Sequence, residues 1–385
     1  QNELRSLLRG QWSNGMLPHM IFSNDPDFER DRQAWRSWVS PYSPEKVSTS
    51  GITQPPMLAE AVVQIGQRLK APERRRWYDE MWQPLVNHHR WVYQERDPHQ
   101  EGLALLIHPW ECGMDNTPPW MAYLQDHQLP LWINFLHTTK LETVVGLFRR
   151  DTRSVPANQR FTNYEVLGLY SDQLRLRRKG YNIDRILDHA LFAIEDLTFN
   201  SILIRANRHL QDIAAVIKED LPEDLLERMH KTEKAFDQLW DETTGQYYSR
   251  DFTTHKWLRE STIATLLPLY AGHISKERAK SLVKLIENPG QFGLDFPLPS
   301  VPQSSGWFDP NRYWQGPSWI NMNWLVIEGL KRYGFDDHAQ VITELSIEMV
   351  AEHGNHEYFN PQDGSPLGAE NFSWTAALTI DLLNR

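Results

Sequence analysis

Apolar residues recur at helical spacing in segment after segment of this chain, and that periodicity most narrows the folds open to it. Leu58, Ala61, Val62, Ile65 and Leu69 fall on one stripe directly after Pro55-Pro56, which predicts an amphipathic helix entered through proline. The spacing returns at Ile202, Ala206, Leu210, Ile213 and Ile217, and again at Leu225, Met229, Phe236, Leu239 and Trp240, with the Leu221-Pro222 step between the two. Further helical stretches over 2–9, 74–95, 160–178, 259–270, 276–286, 314–333, 336–352 and 371–384 are each bounded by Pro, Gly, Asn or Asp, for about eleven in all. Strand patterns are few, the apolar run Leu103 to Ile107 being the main candidate. The fold class is therefore all-α.

Helices joined by short turns, alternating with long loops, suggest hairpins set in a ring whose loops gather at one end to build a site. A solenoid is the rival. It would show a fixed-period repeat, and none is present, while the loops 11–54, 96–159 and 287–313 are too unequal to be repeat turns. No shift in composition marks a linker, so 1–385 reads as a single domain with those three loops at the site end.

Charge and cysteine content exclude several classes of partner. The net charge is −10 with acidic and basic residues well mixed, and no basic block could neutralise a run of phosphates or hold an anionic membrane surface, so nucleic acid and membrane are not expected partners. No apolar run approaches the roughly 18 to 20 residues that span a bilayer, and Gln1 to Trp12 lacks the apolar core of a signal peptide. Cys112 is the only cysteine, which fits a reducing compartment and points to the cytoplasm. A homo-oligomer is compatible with the composition.

The chemistry concentrates in irregular segments rich in aromatic residues, a setting to which several of the 16 tryptophans contribute. In His108-Pro109-Trp110-Glu111-Cys112-Gly113-Met114-Asp115-Asn116-Thr117-Pro118-Pro119-Trp120 the acidic residues sit among rings and prolines. Such surroundings raise a carboxyl pKa by removing water, as a general acid acting near neutral pH requires, so Asp115 is a candidate acid. The competing use of Asp115 or Asn116 is an Asx-turn or helix cap ahead of Pro118. Near the C-terminus Glu357 and Glu370 compete for a role. Glu370 stands one residue before Asn371 and reads as a cap for the last helix, whereas Glu357 has no such local use.

Between these lies Trp307-Phe308-Asp309-Pro310-Asn311-Arg312-Tyr313-Trp314-Gln315-Gly316-Pro317-Ser318-Trp319, where rings and amides are dense. A sugar site stacks rings against C–H faces and aims amides and carboxylates at hydroxyls, and this mixture meets that demand. No metal or cofactor is expected. The 15 histidines show no HExxH and no paired ligand spacing, and neither a phosphate-binding Gly loop nor a GxSxG elbow is present.

Ser50-Gly51-Ile52-Thr53-Gln54-Pro55-Pro56 is followed by Gly113-Met114-Asp115-Asn116, and then by Tyr313-Trp314-Gln315-Gly316-Pro317, Glu357-Tyr358-Phe359-Asn360-Pro361 and Phe372-Ser373-Trp374-Thr375-Ala376-Ala377. With these motifs in this order the chain resembles glycoside hydrolase family 63, and within it the bacterial hydrolases of glucosylglycerate and mannosylglycerate. The resemblance implies an α/α toroidal barrel of six helical hairpins, twelve helices in all. One helix more than the eleven read from periodicity is then expected, at the N-terminal side, together with an aromatic Trp-x-Trp-Asp-like segment ahead of Gln1. It also implies Asp115 as general acid and Glu357 as general base of an inverting hydrolase acting on a small α-glycoside.

Inversion calls for carboxyl groups about 6.5 to 9.5 Å apart, with room for a water, against about 5 to 5.5 Å for retention. Gln54, Tyr313, Trp314 and Trp319 are implied as substrate-binding residues. A glycerate leaving group carries a carboxylate, so its subsite needs a cation, and in Arg149-Arg150-Asp151 the resemblance favours Arg150. The alternatives are an α-glucosidase of short α-gluco-oligosaccharides, an α/α-barrel phosphorylase or epimerase, and a non-catalytic carbohydrate-binding protein.

Overall fold

Helices form where the apolar stripes lie. The computed structural model describes residues 1–126, 129–139, 149, 151–152 and 154–384. These are mainly helical with a few two-residue strands, in agreement with the all-α expectation. Backbone proximity divides them into two compact units, one of Gln1–Gly113, Tyr170–Leu239 and Arg250–Lys256, the other of Met114–Leu169, Trp240–Ser249 and Trp257–Arg385.

In the first unit the helices Leu58–Gln67, Ala71–Glu95 and Leu197–Ile217 pack on one another. The first of these buries Leu58 and Val62 of its predicted stripe together with Ala59 and Val63, while Ala61, Ile65 and Leu69 are half-buried, so the buried face is turned from the one read in the sequence. Gly66 lets the second helix come close, since a Cβ there would lie 2.2 Å from the Tyr78 ring. Polar links cross the same contacts: Trp77 Nε1 donates to Val62 O at 3.0 Å, His209 Nε2 meets Glu60 Oε2 at 2.6 Å, and Asn207 joins His89 to the Tyr93 hydroxyl. Asp196 starts the third helix by accepting the Phe199 N–H at 2.7 Å. The expected strand near 103–107 is Leu105–Leu106, at one edge of a three-stranded antiparallel sheet with Ile194–Glu195 in the centre and Arg250–Asp251 beyond.

In the second unit the helices Ile320–Arg332, Asp336–His353 and Ser373–Leu383 pack together, with Ile320, Met349, Val350 and Phe359 in their core. Two short antiparallel ladders complete it, Trp240–Asp241 with Gln246–Tyr247 and Tyr358–Phe359 with Pro366–Leu367.

Several segments differ from the sequence reading. The helix expected over 259–270 is a 3-10 turn, Ile263–Leu266, followed by the single α-turn Pro268–Ala271. Thr262 caps that 3-10 turn through Ala264 N, and Pro268 has no N–H with which to continue a longer helix. The helix expected from 314 begins at Ile320, because Ser318 is held extended against Phe359. The loop 11–54 contains the helix Glu29–Trp35 and the strand pair Ile21–Phe22 with Ser48–Thr49. The loop 96–159 contains the helices Pro118–Asp126 and Leu131–Thr138, each entered through proline. By contrast 288–313 is irregular, as expected.

One buried carboxylate organises the loops of the first unit. Glu111, fully buried, accepts Arg96 Nη2 at 2.7 Å and Thr53 N–H at 3.2 Å on Oε1, and Ile107 N–H at 2.9 Å on Oε2. Removing one partner of such a pair strands the other charge, so Arg96→Met is expected to destabilise the chain by about 3 to 5 kcal/mol. Thermal unfolding checks this, and an unchanged Tm would show that the Glu111 linkage does not hold these loops.

Candidate active site

Asp115 follows the 3-10 turn Pro109–Cys112, which Gly113 ends in the left-handed conformation at φ 77°. The next residue, Asn116, is fully buried; its side-chain oxygen accepts Trp314 N–H at 3.0 Å and its carbonyl accepts Gln315 Nε2 at 2.8 Å. Asn116 therefore binds the loop carrying Tyr313 to the one carrying Asp115. Asp115 is not a cap: its Oδ2 accepts the Tyr313 hydroxyl at 3.0 Å.

Tyr313 has φ 36°, a left-handed conformation costly for a residue with a ring. The geometry is enforced from several sides. Trp319 Nε1 donates to Tyr313 O at 3.1 Å, and the Tyr313 ring meets Phe161, Trp319 and Tyr358 edge-on at 5.3, 5.5 and 5.8 Å. Trp314 and Trp319 are 1% and 2% exposed and stack on each other at 3.7 Å, so they form a packed aromatic shelf behind Tyr313.

Glu357 opens the strand Tyr358–Phe359. It is held by Arg160, whose Nη1 donates to Oε1 at 3.0 Å and whose Nη2 donates to Oε2. Ala369 N–H adds a third hydrogen bond, to Oε2 at 3.0 Å. The guanidinium lies over the Tyr313 ring, 5.0 Å from its centroid. Burial opposes the charge on Arg160, and the Glu357 carboxylate more than restores it.

Electrostatics separate the two carboxyl groups. Loss of water raises Asp115 to about 7, against the stabilising Tyr313 hydroxyl; the Glu357 charge raises it further and Arg160 opposes. Asp115 can thus hold a proton near neutrality while Glu357 sits in a cationic clamp. One group can donate a proton and the other can receive one.

The remaining expected residues lie as follows. Gln54 belongs to the first unit, where its Nε2 donates to Trp110 O at 2.9 Å. Arg150 lies outside the described residues. Its neighbour Arg149 is buried and committed: it pairs with Asp151 and donates to Phe161 O at 2.7 Å and Asn163 Oδ1 at 3.1 Å. The expectation that Glu370 caps the last helix is corrected. That helix starts at Ser373 with no side-chain cap, and Asn371, at φ 55°, turns the chain away from the exposed Glu370.

Arg160 was missed because the sequence reading began a helix there. The available signal was the capping box Thr162-x-x-Glu165, in which Thr162 Oγ1 accepts Glu165 N–H at 3.2 Å and Glu165 Oε2 accepts Thr162 N–H at 2.6 Å. It starts the helix at Asn163 and leaves Arg160 free to reach Glu357.

A carboxyl pushed up to about 7 beside a carboxylate clamped by an arginine, walled by aromatic rings, is the equipment of a glycoside hydrolase. The chain belongs to the mannosylglycerate hydrolase MGH1-like glycoside hydrolase domain family, whose model matches residues 1–375. It is 35% identical to a mannosylglycerate hydrolase of Thermus thermophilus, over 96% of this chain and 86% of that protein. It is 30% identical to a glucosylglycerate hydrolase of Mycolicibacterium hassiacum, over 99% of this chain and 86% of the relative. Among solved structures, the family 63 mannosylglycerate hydrolase of Thermus thermophilus in complex with Tris and D-glycerate aligns with a TM-score of 0.88 and 34% identity, covering 100% of this chain and 88% of that one.

Because the folded state holds the Asp115 proton more tightly than the unfolded chain does, the stability due to this group is full at about pH 4 and is lost as pH rises through about 7. Asp115→Asn is expected to stabilise the chain relative to the native one at pH 8 by on the order of a few kcal/mol, seen as a higher Tm, and to leave Tm nearly unchanged at pH 4. Equal effects at both pH values would show that Asp115 is not held protonated.

Proposed function

We propose that the chain is an inverting hydrolase of a small α-glycoside, glucosylglycerate or mannosylglycerate, with Asp115 as general acid and Glu357 as general base. The observation that carries this reading is the contrast between the two carboxyls: loss of water pushes Asp115 up to about 7, whereas Glu357 is held in a bidentate pair with Arg160. Asp115 would give its proton to the glycosidic oxygen as the C–O bond breaks. On the other face of the sugar Glu357 would take a proton from the water that attacks the anomeric carbon, and no covalent intermediate forms.

Tyr313 is assigned to the sugar directly, and Trp314 and Trp319 to the packing that fixes it. Gln54 is assigned to hydroxyl recognition. The relatives' activities on glycerate glycosides, and the D-glycerate in the aligned structure, support the substrate class. The family model running over residues 1–375 supports one catalytic α/α-toroidal domain. A cytoplasmic location rests on the lone, buried Cys112; among the described residues no helix is long and apolar enough to cross a membrane.

Incubation with glucosylglycerate, mannosylglycerate and short α-glucosides, followed by proton NMR, is expected to show the β-anomer of the sugar appearing first and kcat/KM falling as pH rises above about 7. Asp115→Asn and Glu357→Gln should each lower kcat by roughly 10²- to 10⁴-fold. Initial release of the α-anomer would sink inversion. Preference for neutral α-gluco-oligosaccharides would favour the α-glucosidase reading, and sugar binding without hydrolysis a carbohydrate-binding one.

With Arg149 fully engaged by Asp151, Phe161 and Asn163, Arg150 remains the cation proposed for the glycerate carboxylate. Arg150→Ala should raise KM for a glycerate glycoside while leaving turnover of a neutral α-glucoside unchanged. Equal effects on the two substrates would remove that role.

A further inference from the structure

The clamp on Glu357 is unequal between its two oxygens. Oε2 accepts both Arg160 Nη2 and the Ala369 N–H, the latter at 3.0 Å, whereas Oε1 accepts Arg160 Nη1 alone, at 3.0 Å. A carboxylate oxygen offers two lone-pair directions, so among the described residues Oε2 is filled and Oε1 keeps one open.

The donors that set this inequality are themselves fixed. Arg160 is 11% exposed and Glu357 7%. Phe161, the residue after Arg160, is held by Arg149 through its carbonyl and packs its ring on Tyr313. Ala369 is positioned by the reciprocal bond from Glu357 N–H to Ala369 O at 2.9 Å, and Gly368 by its N–H to Gln159 Oε1, also at 2.9 Å. Gly368 is at φ 72°, and a Cβ there would lie 2.7 Å from Glu357 Oε2. The segment that supplies the N–H donor must therefore pass this close to the carboxylate.

We infer that Arg160 is a positioning residue for the general base: its fork fixes Glu357 so that Oε1 keeps the lone pair that receives the proton of the attacking water. In this step a water O–H bond breaks, its proton goes to Oε1, and its oxygen bonds to the anomeric carbon as the glycosidic bond breaks and Asp115 protonates the leaving oxygen. The inference rests on the reading of Glu357 as base. A lysine would keep the charge but not the fork, because an ammonium is a point donor without bidentate geometry.

The titratable groups that bear on the pair are Asp115 from the loop before Pro118, Tyr313 from the loop before Ile320, and Tyr358 from the strand that Glu357 opens. Withdrawing the Arg160 cation disfavours ionised carboxyls at both positions it faces, so the acidic limb, where the base must be ionised, moves to higher pH. The basic limb, where Asp115 must be protonated, moves the same way.

Arg160→Gln and Arg160→Lys, each checked for folding by circular dichroism, are compared with the native chain in kcat, KM and pH profile on the preferred glycoside. Arg160→Gln is expected to lower kcat by about 10²-fold with KM changed by no more than about threefold and both limbs displaced upward. Arg160→Lys is expected to return the limbs toward their native positions while recovering only part of kcat, and this comparison stands on its own if the Gln variant does not fold.

Native-like kcat in either variant, a rise in KM alone, or a loss of kcat with unmoved limbs would overturn the inference. If Glu357→Gln is inactive while Arg160→Gln is native-like, the base stands and the role of Arg160 falls. If Glu357→Gln keeps its turnover, it is the reading of Glu357 that fails.

Discussion

The active-site cluster depends on one backbone pairing. Ser318 N–H donates to Phe359 O at 2.8 Å and Phe359 N–H returns to Ser318 O at 3.0 Å. This reciprocal bond joins the loop that carries Tyr313 to the strand opened by Glu357. Ser318 is fully buried and its hydroxyl donates to Pro297 O, so the pairing lies where water cannot compete with it. Asn116 completes the alignment by holding Trp314 and Gln315 from the Asp115 side. Three segments far apart in sequence thus bring Asp115, the Tyr313 ring and Glu357 together, through a backbone pairing on one side and the side-chain amides of Asn116 and Gln315 on the other.

The electrostatics follow from that placement. Glu357, Arg160, Tyr313 and Asp115 form a chain in which an ion pair is linked through the Tyr313 ring and hydroxyl to Asp115. The guanidinium serves both ends: it neutralises Glu357, and it moderates the upward displacement of Asp115 that burial and the Glu357 charge produce. Without the cation, two carboxylates in one poorly hydrated cluster would compete to remain neutral. With it, Glu357 has a bidentate cationic partner and the upward displacement of Asp115 is held to about 7.

Much of this was legible in the chain and some was not, for physical reasons. The stripes at Leu58, Val62 and Ile65 and at Ile202, Ala206, Leu210 and Ile213 produced helices where expected, the second of them buried on every side over 197–204. The segment 259–270 misled because its apolar content suits a core turn as well as a helix, and only Thr262 and Pro268 distinguish the two. The short helices at Glu29–Trp35 and Pro118–Asp126 are too brief for periodicity to reveal. Within the site, Asp115 and Glu357 were identified by motif, while Arg160 was hidden because its partner lies 197 residues away and no local pattern records such a pairing. Trp314 and Trp319 illustrate the opposite limit. Sequence shows that rings are present, but only packing shows that these two face each other.

The cluster also opposes the stability of the unit that contains it. Tyr313 occupies a left-handed backbone conformation, Asp115 is half-buried and pushed upward by loss of water, and the Glu357–Arg160 pair has lost most of its water. None of these features would be selected for folding alone. They persist because the surroundings over-determine them: the helices Ile320–Arg332, Asp336–His353 and Ser373–Leu383 pack around Phe359, and the Trp314–Trp319 stack closes the space behind Tyr313. Cooperative packing of this kind offsets local costs only while it stays intact, since a side chain in a dense core has no alternative position to relax into. Tyr313 cannot relax its φ without losing the Trp319 hydrogen bond, nor can Trp319 move without opening its stack on Trp314. The strain at Tyr313 is thus held by the rings packed against it, and Tyr313 cannot move without Asp115 losing its hydroxyl partner.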